Sequence, residues 1–391
     1  MRVLFSAIGA YGHIFPMIPF ARALVAQGHE ILFATSADFG PVLSRAGLRH
    51  ISVAKPLNAT RTTAYGTRID GDDLTPEQAL WLFGRVFGSD AARDIHAELG
   101  PVIQDFAPGL VIHDAFNPGG ALAARAAGVP ALCHGFGRAT TGRVASTTEY
   151  HVRALAGELG IALPDDYPAT VGNPMLDIFP PSLQHSKLLT GGNRIALRPV
   201  AYSEPAELPE LPAGRPLVYV TLGTVFGKAG TLRTIVDGLT SAGLPVLVAT
   251  GPTVETDELP ASVSVHRWVP QALLLPHVDL AVHHGGSGTV LGALSAGVQQ
   301  LLVPQGADQL TNGRALDKAG VAPQLLPEQV TADALAELAT RILADGSYRT
   351  RIGEIQAEIS GMPSPEEVAA QLPDLVERAE AAMEAGAQSL S

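Results

Sequence analysis

The stretch LAVHHGGSGTVLGAL (residues 280–294) joins an apolar run of strand length to a helix through a glycine-rich turn. Strand, tight turn and helix form the repeating unit of a doubly wound parallel sheet, whose ligands bind beyond the carboxyl ends of the strands. Unpaired N–H groups and the positive end of a helix starting near Ser287 favour a phosphate there. Gly285, Gly286 and Gly288 would let it approach the main chain, and Ser287 and Thr289 add hydroxyl donors. His283 can donate to a phosphate oxygen and, if protonated, offset its charge. A tight turn with core histidines fits the same residues equally well. The pattern is not GxGxxG and no lysine follows, so neither a dinucleotide fingerprint nor a Walker loop is read.

Outward from this stretch the second half of the chain repeats the unit. RPLVYVTLGT (215–224), LPVLVATG (244–251), VSVHRWV (263–269), DLAVHHGG (279–286) and QQLLVPQ (299–305) read as strands separated by helices. TLGTVFGK (221–228) is a second loop at a matching strand end, and its Thr224 could donate to the same phosphate. Trp268 and Val269 end another strand, where the indole could stack on a base or serve in packing. Gln271 could bond a base edge or ribose hydroxyl, or cap the next helix. Asp308 and Gln309 come just after a strand end, where a carboxylate beside an amide suits vicinal sugar hydroxyls, or forms an ordinary helix cap.

The first half shows the same alternation. RVLFSAI (2–8), EILFATS (30–36), a strand near LRHISVA, GLVIHDA (109–115) and VPALCHGF (129–136) read as strands, with helices over 15–28 and 118–128. TPEQ (75–78) reads as a capping box opening a long helix to about residue 106. His13 follows the first strand at a helix start, which favours a neutral ring able to act as a base. His113 and Asp114 end a later strand. In a sheet ordered 3-2-1-4-5 the two strands are neighbours, so Asp114 can reach the far nitrogen of His13 and orient it. The DxD within DGDD (70–73) lies in an irregular polar segment, not at a strand end, and is read as solvated loop rather than a metal site.

The 391 residues suggest two domains. LRPVAYSEPAELPELPAGRP (197–216) is rich in proline and acidic residues, as a linker would be. We place an N-terminal domain at 1–200, a linker at 201–215, a C-terminal domain at 216–370 and a helical tail at 371–391. The expected architecture is α/β, two Rossmann-like domains facing each other across a cleft. Net charge is -12 without a basic run, which disfavours nucleic acid and anionic membranes as partners. No run approaches the roughly 18 apolar residues of a membrane helix. One cysteine, Cys133, excludes a disulfide framework and a cysteine-based zinc site. A cytoplasmic protein is expected.

GHIFPMIPFARAL (12–24), NPMLDIFPPSLQ (173–184), LVYVTLGT (217–224), WVPQALLLPHVDLAVHHGGSGTVLGAL (268–294) and PQGADQ (304–309) together make the chain resemble GT-B glycosyltransferases of family 1. The resemblance is strongest to actinomycete antibiotic enzymes of the calicheamicin type and covers nearly the whole chain. It implies acceptor binding by the first domain and nucleotide-sugar binding by the second, with a C-terminal helix crossing back to the first. It implies His13 as general base with Asp114 as its partner, and Trp268 stacked on the nucleotide base. Thr224, His283 and the glycine loop would hold the diphosphate, and Asp308 and Gln309 the sugar. Inversion in a single displacement, without metal or other cofactor, is implied as well. Gln299 departs from the pattern, which usually has proline there. Expected partners are a TDP- or UDP-sugar, most simply a TDP-deoxysugar, and an apolar aglycone such as an enediyne or other polyketide. Trp81, Phe83, Phe87 and Tyr150 are candidates for the acceptor side, and a homodimer is left open. The alternatives are another GT-B reaction such as sugar-nucleotide epimerisation, or a non-catalytic two-lobed small-molecule binder.

Overall fold

All five residues of Leu110–Asp114 are buried, as are all four of Val218–Thr221 and of Leu280–His283. Apolar strands buried on both faces belong to parallel sheets flanked by helices. The computed structural model describes residues 1–55, 74–165, 170–224, 227–251, 254, 259–306 and 308–388. The chain divides into two units, one of residues 1–179, 184–198 and 363–391, the other of 180–183 and 199–362.

The first unit holds β1 (Arg2–Ser6), β2 (Glu30–Thr35), β3 (Arg49–Ser52), β4 (Leu110–Asp114), β5 (Ala131–His134), β6 (Met175–Asp177) and β7 (Arg194–Ala196). Their order is β3-β2-β1-β4-β5-β6-β7 and every pairing is parallel. β1 and β4 are neighbours, with Ser6 opposite His113, so the loops after both strands emerge side by side. β6 and β7 were not anticipated, because three residues are too few to show a strand period.

The helix expected at 15–28 is built in three pieces: Tyr11–Ile14, a 3₁₀ turn Phe15–Met17, and Ile18–Ala26. Thr75 and Gln78 form the expected capping box. The long helix it opens is nevertheless split into Pro76–Arg85 and Ala91–Phe106 by a π-helical turn, Val86–Asp90. That turn packs on helix Gly142–Glu158 so tightly that a Cβ on Gly88 would lie 2.7 Å from the Thr148 carbonyl oxygen. Within the same unit, residues from Pro363 onward lie against its first helix: Gln27 donates to the Glu366 carbonyl at 2.9 Å.

The second unit holds β8 (Val218–Thr221), β9 (Val246–Ala249), β10 (Ser264–His266), β11 (Leu280–His283) and β12 (Gln299–Leu302), in the parallel order β10-β9-β8-β11-β12. Alternation along the strands sorts the core into two layers. Val218, Val220 and Val282 pack with Ile235 and Leu335 on one face, while Tyr219 and Ala281 pack with Leu274 and Ala293 on the other. Gln299 donates to the Ile342 carbonyl at 2.6 Å, which turns its side chain toward helix Ala332–Ala344. Among the described residues no helix is long and apolar enough to cross a membrane.

Candidate functional site

In the first unit the loops after β1 and β4 bring together the two residues that topology said should meet. His13 Nδ1 donates to Asp114 Oδ1 at 2.9 Å. The carboxylate also accepts the Ile8 N–H on Oδ2 at 2.9 Å and the Phe116 N–H on Oδ1 at 2.7 Å. Asp114 is 1% exposed and His13 18%. Burial by itself would raise the Asp114 pKa, but the His13 ring and the two N–H groups outweigh it and hold the carboxyl below its ordinary value. A carboxylate only accepts, so Nδ1 carries a proton, and in the neutral form of the ring the lone pair is then on Nε2. Nε2 has no hydrogen bond among the described residues, so it is placed to take a proton. Both nitrogens of the adjacent His113 are engaged, Nδ1 with the Asp114 carbonyl and Nε2 with Asn173. Burial pushes His113 down to about 4, so it is a core group.

Aromatic rings surround this pair. Phe136 lies 4.4 Å from the His13 ring centroid and Phe116 lies 5.9 Å away. Phe116 in turn contacts Phe83 and Phe87 at 5.6 and 5.7 Å, so these two candidates reach His13 through it. Trp81 does not join this cluster. Its half-exposed indole lies against His151 and near the Arg85 guanidinium. Tyr150 is exposed beside the same His151. Sequence reasoning missed Phe116 and Phe136, although each follows within two residues of a strand end, and that was the available signal.

In the second unit the loops after β8 and β11 meet, because these strands are neighbours. Helix Ser287–Ala296 begins on Gly286 without any side-chain cap, which leaves its first N–H groups available. The histidine that enters this loop is His284 rather than His283. Its ring fits between two glycines: a Cβ would lie 2.6 Å from its Nε2 on Gly223 and 2.4 Å on Gly286. Its Nδ1 is buried without a partner among the described residues. Burial lowers the His284 pKa, opposed by the charge of Asp308.

His283 is wholly buried and corrects the expected direct phosphate contact. Its Nδ1 accepts the Gly285 N–H at 3.1 Å and its Nε2 meets Gln300 Oε1 at 2.9 Å, so neither nitrogen is left for a ligand. Burial, helped by the neighbouring His284, pushes its pKa down to about 3 and keeps the ring neutral. The signal that separates the two histidines is the pair Gly223 and Gly286, which make room for only one ring.

The remaining candidates divide by what holds them. Ser287 donates to Asp308 Oδ2 at 2.8 Å, and Asn312 donates to Ser287 at 3.0 Å and to the Gly285 carbonyl at 2.9 Å. Asp308 therefore braces the glycine loop. Gln309 Oε1 accepts the N–H groups of Gln305 and Gly306 and so orders its own loop. Thr224 is half-buried beside Gly223, and Thr289 is buried in the first turn of the helix. Gly288 is exposed, and a Cβ there would touch nothing within 4 Å. Trp268 is 43% exposed, so it is not a core tryptophan, whereas the Val269 side chain is core. Gln271 packs near Gly292 of the glycine-loop helix. DGDD (70–73) lies outside the described residues.

Two domain models of one family match the chain: the erythromycin biosynthesis protein CIII-like N-terminal domain over residues 22–223, and the corresponding C-terminal domain over 240–375. The L-demethylnoviosyl transferase of Streptomyces niveus is 31% identical over 380 residues, covering 94% of this chain and 97% of that protein. The elloramycin glycosyltransferase of Streptomyces olivaceus is 33% identical over 400 residues, covering 95% and 97%. Among solved structures, the Streptomyces sp. SF2575 glycosyltransferase SsfS6 complexed with thymidine diphosphate aligns with TM-score 0.78 at 26% identity, covering 96% of this chain and 99% of that one.

Proposed function

The chain belongs to the erythromycin biosynthesis protein CIII-like family of GT-B glycosyltransferases, and from that premise we propose that it transfers a sugar, with inversion and without a metal, from a nucleoside diphosphate to a hydroxyl of an apolar aglycone. It is a glycosyltransferase of the antibiotic-biosynthesis type. In our reading the donor is a TDP-deoxysugar, consistent with the thymidine diphosphate bound by similar enzymes. The acceptor is a polyketide-type hydroxyl.

The observation that carries this reading is the His13–Asp114 pair. His13 Nε2 takes the acceptor proton while the acceptor oxygen forms its bond to the anomeric carbon. The bond from that carbon to the diphosphate oxygen breaks in the same step, and the electron pair leaves with the diphosphate. Attack opposite the leaving group inverts the configuration. Asp114, already held as an anion, stabilises the imidazolium that forms. The uncapped helix start at Ser287–Thr289, the half-buried Thr224 and the ring of His284 suit the charge growing on the departing diphosphate. His283 acts from behind this loop. Trp268 offers an exposed face to the base, and Asp308 and Gln309 sit at the sugar end of the same loop cluster.

The test is a donor and acceptor screen read by release of thymidine diphosphate and by NMR of the product's anomeric linkage. Diphosphate release only in the presence of an aglycone, with an inverted linkage, is expected. Release without an acceptor would point to a donor-only reaction such as epimerisation, and a retained linkage would remove the single displacement.

A further inference from the structure

Gly285 is held through both its N–H and its carbonyl by side chains that are wholly buried. Gly285 sits at φ +85°, in the left-handed region, and its carbonyl accepts from Asn312 Nδ2 at 2.9 Å. Its N–H donates to His283 Nδ1 at 3.1 Å. A peptide N–H can only donate, so Nδ1 must carry a lone pair, and a neutral imidazole then has its one proton on Nε2. Nε2 donates that proton to Gln300 Oε1, 2.9 Å away. His283 is 0% exposed and Gln300 1% exposed. The opposite tautomer would set an N–H against the Gly285 N–H.

We infer that Gln300 is a positioning residue of the glycine loop: by accepting from Nε2 it selects the His283 tautomer, and the ring then fixes the Gly285 peptide and the helix start that follows. The titratable group acting on His283 is the adjacent His284, which in turn faces Asp308. Among the described residues the charge acting on His283 is that of His284, which disfavours protonation, and burial acts in the same direction, so the relay runs through a neutral group. The ligand-binding part of this inference rests on the reading that the loop holds a diphosphate. The loop-ordering part does not.

The test uses the full chain with Gln300→Met, which keeps length but lacks a strong acceptor, and Gln300→Glu, which keeps the acceptor but adds charge. Two quantities are read: hydrogen–deuterium exchange of peptides covering residues 284–289 without ligand, and calorimetric binding of thymidine diphosphate. Gln300→Met is expected to speed exchange in 284–289 and to weaken diphosphate binding about tenfold, about 1.4 kcal/mol, while β8 and β9 exchange as in the wild type. Gln300→Glu should behave as wild type near pH 8. Its carboxylate draws a second proton onto His283, so exchange in 284–289 should rise relative to wild type toward about pH 6. The Glu variant keeps the question open to decision if the Met variant does not fold. Wild-type exchange in 284–289 for Gln300→Met, or a Gln300→Glu profile parallel to wild type, overturns the relay. A wild-type protein that does not bind thymidine diphosphate overturns the donor reading instead, and exchange alone then decides for or against Gln300.

Discussion

Asp114→Asn perturbs the first-unit site while keeping its shape. Asp114 accepts from three donors, and an amide can satisfy them with only one oxygen. If that oxygen stays toward His13 and Phe116, the amide nitrogen faces the Ile8 N–H, and the lost bond costs about 1–3 kcal/mol of stability. The larger effect is on rate. In the transition state His13 becomes charged, and charge centres about 4 Å apart at an effective dielectric constant of about 20 attract by about 4 kcal/mol. The amide oxygen retains the neutral hydrogen bond, so about 3 kcal/mol is lost, a fall of about 150-fold in kcat. The assay is steady-state turnover of a donor and acceptor pair, with the donor KM followed separately. That KM should hold, because Asp114 belongs to the unit that does not carry the glycine loop. A kcat within about threefold of wild type would refute the claim that Asp114 stabilises the ring it touches.

Gly286→Ala would place a Cβ 2.4 Å from His284 Nε2, so thymidine diphosphate binding should fall at least about tenfold with the first unit unaffected; calorimetry showing wild-type affinity would count against the placement of His284. Phe116→Ala should raise the acceptor KM severalfold, whereas Trp81→Ala, outside the ring cluster, should leave it nearly unchanged; equal effects would dissolve the distinction between them. Stability should also depend on pH through three buried histidines, His113 and His134 at about 4 and His283 at about 3, burial being the main cause in each. Their folded pKa values are lowered, so the unfolded chain takes up protons from 6.5 downward while the folded chain does not. The stabilisation is therefore complete above 6.5 and is lost as pH falls toward the folded values. Urea unfolding at pH 7 and pH 5 should differ by about 2 kcal/mol per ring, and identical stabilities would show that these rings are not held neutral.

The parallel sheets were legible because apolar runs and glycine turns recur along both halves, and the strand order that this repetition implies makes His13 and Asp114 neighbours. What escaped reading depends on which way a side chain points once packed. His283 and His284 are adjacent, and only the contact of one with Gln300 on β12 and of the other with Gly223 after β8 separates their tasks. Phe116 and Phe136 gain meaning only because β4 and β5 place them around His13. The π turn at Val86–Asp90 arises from its fit against a helix some 60 residues later, and no local pattern records that. Asp308 looked like a sugar contact from its position, and its hydrogen bonds to Ser287 and Asn312 add a bracing task that spacing does not reveal.

The proposed mechanism requires His13 to remove the acceptor proton. The decisive experiment is single-turnover transfer by His13→Ala with donor and acceptor both saturating. A rate lower by about 10²–10⁴-fold is expected, with thymidine diphosphate affinity unchanged. Transfer at the wild-type rate would contradict it.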